Sequence, residues 1–148
     1  MNTSRAVVLD ASVVAKWHLQ PEEYGQQAQA LQQSFIEGEL TVVLPDHAQC
    51  EVANAITVAC RRGRMTADVA AGAIRDLLAW DFSFVSTDEV LEQAFALAQA
   101  FDCALYDALY LAVAERYHLE LITADLAFLR KTEGKVGSIR WLGTYEAV

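Results

Sequence analysis

The chain has 148 residues, 54% hydrophobic and 21% charged, a composition typical of one well-packed globular domain rather than a disordered segment. This length suffices to bury a core without disulfides, and no apolar run approaches the roughly 20 residues that a membrane span needs. The N-terminus leads into a short apolar run and not a signal sequence, so we expect a cytoplasmic protein. We expect three buried, reduced thiols, at Cys50, Cys60 and Cys103.

The net charge of −9 is unusual for a protein that handles nucleic acid, because phosphate binding normally comes from clustered Lys and Arg. Two interpretations remain open. The acidic excess is either a solubilising surface or, in part, a carboxylate cluster that holds cations. The second requires acids in positions that solubility does not explain.

The first half of the chain alternates strand and helix patterns. A β-rich apolar run ends at Asp10, Gly38 ends a polar helix, and Pro45 stops a second apolar run. Asp46 is expected to cap the helix that follows. The predicted elements are a strand at 6–9, helices at 12–18 and 22–37, a strand at 41–44 and a helix at 48–60.

The second half continues the alternation. Ser86 and Glu89 have the spacing of a capping box, and Asp102 is expected to cap the following helix. The predicted elements are a helix at 66–80, a strand at 82–85, helices at 86–101 and 104–117, a strand at 119–123, a helical turn at 126–131 and a strand at 138–142. We therefore predict a single α/β domain over 1–148, with a mostly parallel sheet and helices on both faces.

Four acids lie where a solvated surface does not explain them. Asp10 and Asp125 each directly follow an apolar strand, at the edge of a parallel sheet where ligands bind. Glu51 is the only charged residue between 48 and 60, and Asp107 is the only one between 104 and 114. A helix that is apolar all round is buried, so both carboxylates are expected to have little access to water.

A buried carboxylate must be paired, protonated or bound to a metal ion. Lys16 lies six residues after Asp10, and one lysine cannot neutralise four acids, whereas Mg²⁺ or Mn²⁺ can. Two structural alternatives stay open. Asp10 or Asp125 alone can be a helix cap, and Glu51 or Asp107 can pair with a distant arginine.

The acidic segments resemble the successive motifs of PIN-domain ribonucleases, and among these the VapC-like toxins of type II toxin–antitoxin systems. The resemblance covers the chain from end to end and is carried by VLDASVV at 8–14, EVANA at 51–55, YDALYLA at 106–112 and ITAD at 122–125. Each motif alone is weak, but four in order within one domain are specific. The resemblance implies a three-layer α/β/α fold.

It further implies that Asp10, Glu51, Asp107 and Asp125 hold one or two Mg²⁺ or Mn²⁺ ions for hydrolysis of RNA phosphodiester bonds. Ser12 and Thr123 match polar positions that orient carboxylates or waters, and Asn54 either does likewise or serves packing. His18, His47 and His118 show no metal-ligand spacing, so we interpret them as surface or packing residues.

The candidates for RNA contact are Arg61, Arg62, Arg64, Lys16, Arg130 and Lys131. The arginines alternatively stabilise a helix C-terminus. PIN toxins of this kind commonly form homodimers and are inhibited by an antitoxin in a helical groove. In this chain the helix at 24–36 could form that groove, with the apolar side chains of Leu31, Phe35 and Ile36 contacting the antitoxin. The alternative is that these side chains pack on the sheet.

Two rival functions remain. A phosphatase resembling the haloacid dehalogenases would use Asp10 as nucleophile, but such enzymes place a second acid two residues on, where this chain has Ser12. A non-catalytic PIN-like RNA-binding or scaffold domain would lack one or more of the acids. Sequence does not separate a toxin from a housekeeping nuclease.

Overall fold

The computed structural model describes residues 4–19 and 21–146. Strands and helices alternate as predicted, and two 3-10 turns accompany them at Ala15–Trp17 and Leu142–Thr144. The elements are β1 (Arg5–Leu9), α1 (Ala11–Val14), α2 (Gly25–Ile36), β2 (Leu40–Pro45), α3 (Ala48–Arg61), α4 (Ala67–Ala79), β3 (Ser83–Val85), α5 (Thr87–Phe101), α6 (Leu105–Arg116), β4 (Glu120–Thr123), α7 (Leu126–Thr132) and β5 (Ile139–Trp141).

The five strands form one parallel sheet in the order β3-β2-β1-β4-β5, which confirms the α/β prediction. Val7 of β1 is paired with Val42 of β2 on one side, and Val8 is paired with Leu121 of β4 on the other. After β1, the chain adds β2 and β3 on one side of β1 and then β4 and β5 on the other side. The topological switch point, where the strand order reverses, therefore lies between β1 and β4. The carboxyl ends of these two strands carry Asp10 and Asp125.

The core lies between the sheet and the helices, and α6 is its central helix. Every residue of α6 from Ala108 to Ala114 is buried, which confirms the prediction of a buried helix for this part of α6, whereas Leu105 and Tyr106 in its first turn are exposed. The same prediction is wrong for α3. Its Val52 and Ile56 face the core while Asn54 and Thr57 are exposed, so α3 is amphipathic and Glu51 lies near its solvent boundary.

Asp46 does not cap the helix that follows it. His47 occupies the residue before α3, and Asp46 Oδ1 instead accepts a hydrogen bond from the backbone N–H of Thr87, 3.3 Å away at the start of α5. The neighbouring strands β2 and β3 bring the two segments together. A cap that looks local in sequence is therefore a tertiary contact.

The predicted capping box and the Asp102 cap are also wrong. Ser86 precedes α5 but, within the described part of the chain, its side chain makes no capping hydrogen bond. Glu89 is instead bound by the hydroxyl of Tyr117 at 2.7 Å. Asp102 ends α5 in the left-handed conformation at φ 51°, and Ala104 precedes α6. Asp tolerates this conformation at a helix C-terminus better than most residues.

The cysteines are free thiols, as expected, but they are not fully buried. Cys50 is exposed, and Cys60 and Cys103 are partly exposed. Both Cys50 and Cys60 belong to α3, whose outer face the sequence did not reveal. Among the described helices none is by itself long and apolar enough to cross a membrane, and α5 with α6 passes that test jointly but is bent by 115°.

Two of the three residues expected to anchor an antitoxin belong to the core. Leu31 is fully buried, and Phe35 stacks on Phe82 with ring centroids 5.3 Å apart. Ile36 remains 56% exposed. The interpretation that these residues pack on the sheet is therefore correct for Leu31 and Phe35, and Ile36 alone of the three presents a large free surface.

Candidate active site

Asp10 stands at the carboxyl end of β1 and is 5% exposed. Its backbone N–H donates to Ile122 O at 3.0 Å, which extends the pairing of β1 with β4 by one residue. Two hydroxyls converge on Oδ2: Ser12 Oγ donates at 2.7 Å and Thr123 Oγ1 donates at 2.9 Å. The carboxylate is therefore held in one orientation, which is not that of a helix cap.

Each of those hydroxyls is itself oriented by the main chain after β4. Ser12 Oγ accepts from the N–H of Ala124, and Thr123 Oγ1 accepts from the N–H of Asp125, both at 3.0 Å. Because each oxygen accepts a backbone proton, its own proton is directed to Asp10. Of these four hydrogen bonds, the two from Thr123 to Asp10 and from Ala124 to Ser12 join the end of β1 to the end of β4.

Asp125 is a helix cap, which is the structural alternative that the sequence left open for it. Its Oδ1 accepts a hydrogen bond from Phe128 N at 3.1 Å, so it caps α7. A cap at a helix N-terminus stabilises an ionised carboxylate. The cap engages one oxygen, and it does not prevent the carboxylate from also facing the other acids.

Glu51 is contacted by Tyr110 of α6 and by His47, the residue that precedes α3. The hydroxyl of Tyr110 donates to Glu51 Oε1 at 2.9 Å, and His47 Nε2 lies 2.7 Å from the same oxygen without an aligned hydrogen bond. The Glu51 side chain is 34% exposed, so the expectation of full burial is wrong. Neither it nor Asp107 pairs with an arginine among the described ion pairs.

The acids act on one another electrostatically. Burial raises the pKa of Asp10 to about 6; the two hydroxyls oppose this rise, and the charges of Asp107 and Glu51 contribute to it. Burial also raises the pKa of Asp107 to about 6, together with the charges of Asp125 and Glu51. Each of the four sequence-predicted acids therefore lies within electrostatic range of at least one other, and their charges repel; we call these four residues the acid cluster.

The nearby positive charge comes from residues remote in sequence. Lys131 and His47 lower the pKa of Asp107, opposing burial and the other acids. Lys131 Nζ also donates to the carbonyl oxygen of Asp102 at 2.7 Å. Lys16, six residues after Asp10, is partly buried in the 3-10 turn after α1.

The remaining candidates for RNA contact lie at helix ends. Arg61 and Arg62 are exposed at the C-terminus of α3, and Arg64 pairs with Glu22 at 3.0 Å. Arg130 is exposed in the last turn of α7. These positions agree with the alternative in which the arginines stabilise a helix C-terminus. The charge of Arg64 is also paired with Glu22.

The acid cluster fits a divalent ion by the chemistry of its donors. Carboxylate oxygens are the ligands of Mg²⁺ and Mn²⁺, and a cation relieves the repulsion that raises the pKa of Asp10 and Asp107. Within residues 4–19 and 21–146, no three His, Cys, Asp or Glu side chains already stand together as a ligand set. Binding an ion through three or more of these carboxylates therefore requires their side chains to move.

Sequence reasoning missed the residues that hold Glu51. His47, expected to serve surface or packing, packs on Tyr110 with ring centroids 5.1 Å apart and also adjoins the carboxylate. Its position four residues before Glu51 places both on one helix face, which was an available signal. For Tyr110, three residues after Asp107 in a buried helix, no signal distinguished a site residue from core.

Comparisons with known proteins agree with this fold. The PIN domain family model matches residues 7–134. The chain is 37% identical over 130 residues to Ribonuclease VapC3 of Pyrobaculum aerophilum, covering 84% of this chain and 93% of the relative.

Solved structures are similar over nearly the whole chain. PAE2754 of Pyrobaculum aerophilum aligns with a TM-score of 0.67 and 26% identity, over 95% of this chain and 85% of that one. A toxin–antitoxin complex from Klebsiella pneumoniae aligns with a TM-score of 0.59 and 19% identity, over 95% and 98%. By family model, sequence identity and fold, the chain belongs to the PIN-domain family and is VapC-like within it.

Proposed function

We propose that this chain is a Mg²⁺- or Mn²⁺-dependent endoribonuclease and the toxin of a type II toxin–antitoxin pair. The observation that supports the proposal is the electrostatic repulsion among Asp10, Glu51, Asp107 and Asp125: burial, together with the charges of neighbouring acids, raises the pKa of Asp10 and of Asp107 to about 6. Such a cluster destabilises the folded state unless it serves to bind a cation. The similarity to Ribonuclease VapC3 supports RNA as the substrate.

The four carboxylates would hold the ion. When bound, a divalent ion supplies Lewis acidity for phosphodiester hydrolysis and positive charge opposite the phosphate. The protein's own part is orientation. Ser12 and Thr123 fix the Asp10 carboxylate, and Tyr110 fixes Glu51.

Asp10 is a poor candidate for the nucleophile of a phosphatase. Its carboxylate is 5% exposed and its Oδ2 accepts two hydrogen bonds. The position two residues on, Ser12, donates to Asp10 rather than supplying a second acid. We therefore place the reaction on a water molecule and not on a covalent aspartyl intermediate.

The partners follow from the family and from two exposed surfaces. An antitoxin would cover Ile36 and Trp80, which line a cavity of about 590 Å³ beside α2 and α4. A homodimer would cover Leu91, Phe95 and Leu105, which line an apolar cavity on α5 and α6. The three free thiols fit the reducing cytoplasm, where the proposal places the enzyme.

The test is cleavage of a short RNA by the purified chain, without antitoxin, in Mg²⁺, in Mn²⁺ and in EDTA. Wild type should cleave with either ion and stop in EDTA. Asp107→Asn should abolish cleavage and keep the circular-dichroism spectrum of wild type. Full activity in EDTA would contradict the metal mechanism, and RNA binding without cleavage in either ion would favour the non-catalytic alternative.

A further inference from the structure

A cavity adjoins the acid cluster on the outer side of α3. It has a volume of about 380 Å³ and is lined by His47, Cys50, Glu51, Asn54 and Tyr106. This volume lies in the range of small-molecule binding sites. Glu51 forms part of both the cavity and the acid cluster, so whatever occupies the cavity lies next to the proposed reaction centre.

One wall of this cavity is an exposed aromatic ring that is braced from behind. Tyr106 directly precedes Asp107 on α6 and is 61% exposed. Its ring packs on His47 with centroids 5.7 Å apart and planes inclined by 33°. His47 in turn packs on the buried ring of Tyr110 at 5.1 Å. The Tyr106 ring is therefore supported by two successive tilted ring contacts that reach into the core.

The lining of the cavity also includes polar groups. Asn54 is exposed one turn after Glu51 on α3, and its amide carries both hydrogen-bond donors and an acceptor. A flat ring with polar edges matches this combination of an aromatic face and an amide. Nucleobases in single-stranded RNA are recognised in this way, by stacking on aromatic side chains and hydrogen bonds to their edges.

The charge of the chain gives stacking particular weight. With a net charge of −9, and with Arg64 already paired with Glu22, phosphate contacts are a limited source of RNA affinity. Stacking on an aromatic ring is nearly independent of charge. A contact of this kind can hold RNA beside a cluster of carboxylates that repels phosphate.

We propose that the cavity bounded by Tyr106, His47 and Asn54 is a subsite for one unstacked nucleobase of single-stranded RNA, next to the bond that is cut. The base stacks on the exposed face of Tyr106 and its edge faces Asn54. The subsite rests on the proposed function, since it presumes that RNA reaches the acids. It adds to that function a specific contact with the substrate: the residues that would hold the base next to the cleaved bond.

The experiment compares wild type, Tyr106→Ala, Tyr106→Phe and, as the matched control, Phe84→Ala. Phe84 is another exposed aromatic residue, on the edge strand β3. Binding of a short single-stranded RNA containing 2-aminopurine is followed by anisotropy and base fluorescence in EDTA, and cleavage is followed in Mn²⁺. The Mn²⁺ dissociation constant is measured separately by electron paramagnetic resonance.

We expect Tyr106→Ala to weaken RNA binding roughly 5- to 100-fold and raise KM, while the Mn²⁺ dissociation constant stays within a factor of about two. Tyr106→Phe and Phe84→Ala should bind as wild type does. Equal RNA binding by wild type and Tyr106→Ala, or no RNA binding by wild type, would overturn the subsite. Tyr106-dependent binding without cleavage in Mn²⁺ would overturn the nuclease proposal and leave the subsite standing.

Discussion

The Tyr110 hydroxyl donates a hydrogen bond to Glu51 Oε1 at 2.9 Å, joining the buried helix α6 to the half-exposed helix α3. Burial, together with the charges of Glu51 and Asp10, raises the pKa of Tyr110, so the phenol stays protonated and remains a donor. The orientation of Glu51 therefore depends on a residue that is fully buried in the core.

Tyr110→Phe should weaken Mn²⁺ binding by about 10- to 100-fold, because the carboxylate loses the group that orients it. It should also lower the free energy of unfolding by about 1–2 kcal/mol, since Glu51 loses a hydrogen bond at a partly buried position. The metal affinity is read by a Mn²⁺ titration. Tyr117→Phe removes a similar bond to Glu89 far from the acids and serves as the control.

An unchanged Mn²⁺ affinity in Tyr110→Phe would remove Tyr110 from the orientation of the site. A comparable loss in Tyr117→Phe would point to a general effect of removing a tyrosine hydroxyl. Either result would leave the acids themselves as candidates.

Without metal, the protein should lose stability as the pH rises from about 4 to about 6. Asp10 and Asp107 have a pKa of about 6 in the folded state against an ordinary value of 3.8 in the unfolded chain, so between these values the folded state binds more protons than the unfolded one. Stability then falls with rising pH across this window and levels off above it. Thermal melts in EDTA at several pH values measure the slope.

Asp10→Asn should flatten that slope and raise Tm at pH 7 in EDTA, because it removes a charge that burial disfavours. Saturating Mn²⁺ should stabilise wild type at pH 7 and have less effect on Asp10→Asn. A wild-type Tm that rises between pH 4 and pH 6 in EDTA would contradict the raised pKa of the two acids.

Thr123→Val should reduce cleavage through Asp10 while keeping the volume of the buried side chain. The Asp10 carboxylate would keep Ser12 as donor but lose Thr123, and the N–H of Asp125 would lose its acceptor. We expect a loss of about 1–2 kcal/mol in stability and a pH–rate profile whose acid limb moves to higher pH. Thr57→Val, on the exposed face of α3, provides the comparison. An acid limb at the wild-type pH would exclude Thr123 from control of Asp10.

Asp46→Ala should lower the free energy of unfolding by about 1 kcal/mol, whereas Ser86→Ala should change it by only a few tenths. Asp46 accepts the backbone proton at the start of α5, and Ser86, despite its position before that helix, does not. Urea unfolding of the two variants decides between the contacts. A larger effect from Ser86→Ala would restore the capping box that the sequence suggested.

The part of the site that follows from the sequence is its set of four acids. Asp10 and Asp125 follow from the rule that parallel strands end at the ligand-binding edge, and Glu51 and Asp107 follow from their isolation in apolar helices. The motifs that resemble PIN domains then join the four into one expected site. The sequence overestimates the burial of Glu51, because small apolar residues, Ala53 and Ala55 among them, occur on both buried and partly exposed faces of α3 and do not tell the two apart.

The rest depends on tertiary contacts that no local pattern encodes. Tyr110 reaches Glu51 across 59 positions, and Asp46 reaches Thr87 across 41. Lys131 and Asp107 come together because α7 returns to the start of α6. Residues of these types are common in cores and on surfaces, so their functional placement becomes visible only once the chain is folded.

The most direct test of the central claim is a crystal soaked in Mn²⁺ and measured for anomalous scattering. The account predicts a peak bounded by the carboxylates of Asp10, Glu51, Asp107 and Asp125, lost in Asp107→Asn. Wild-type crystals that hold no Mn²⁺ among these residues, at a concentration that supports RNA cleavage, would contradict it.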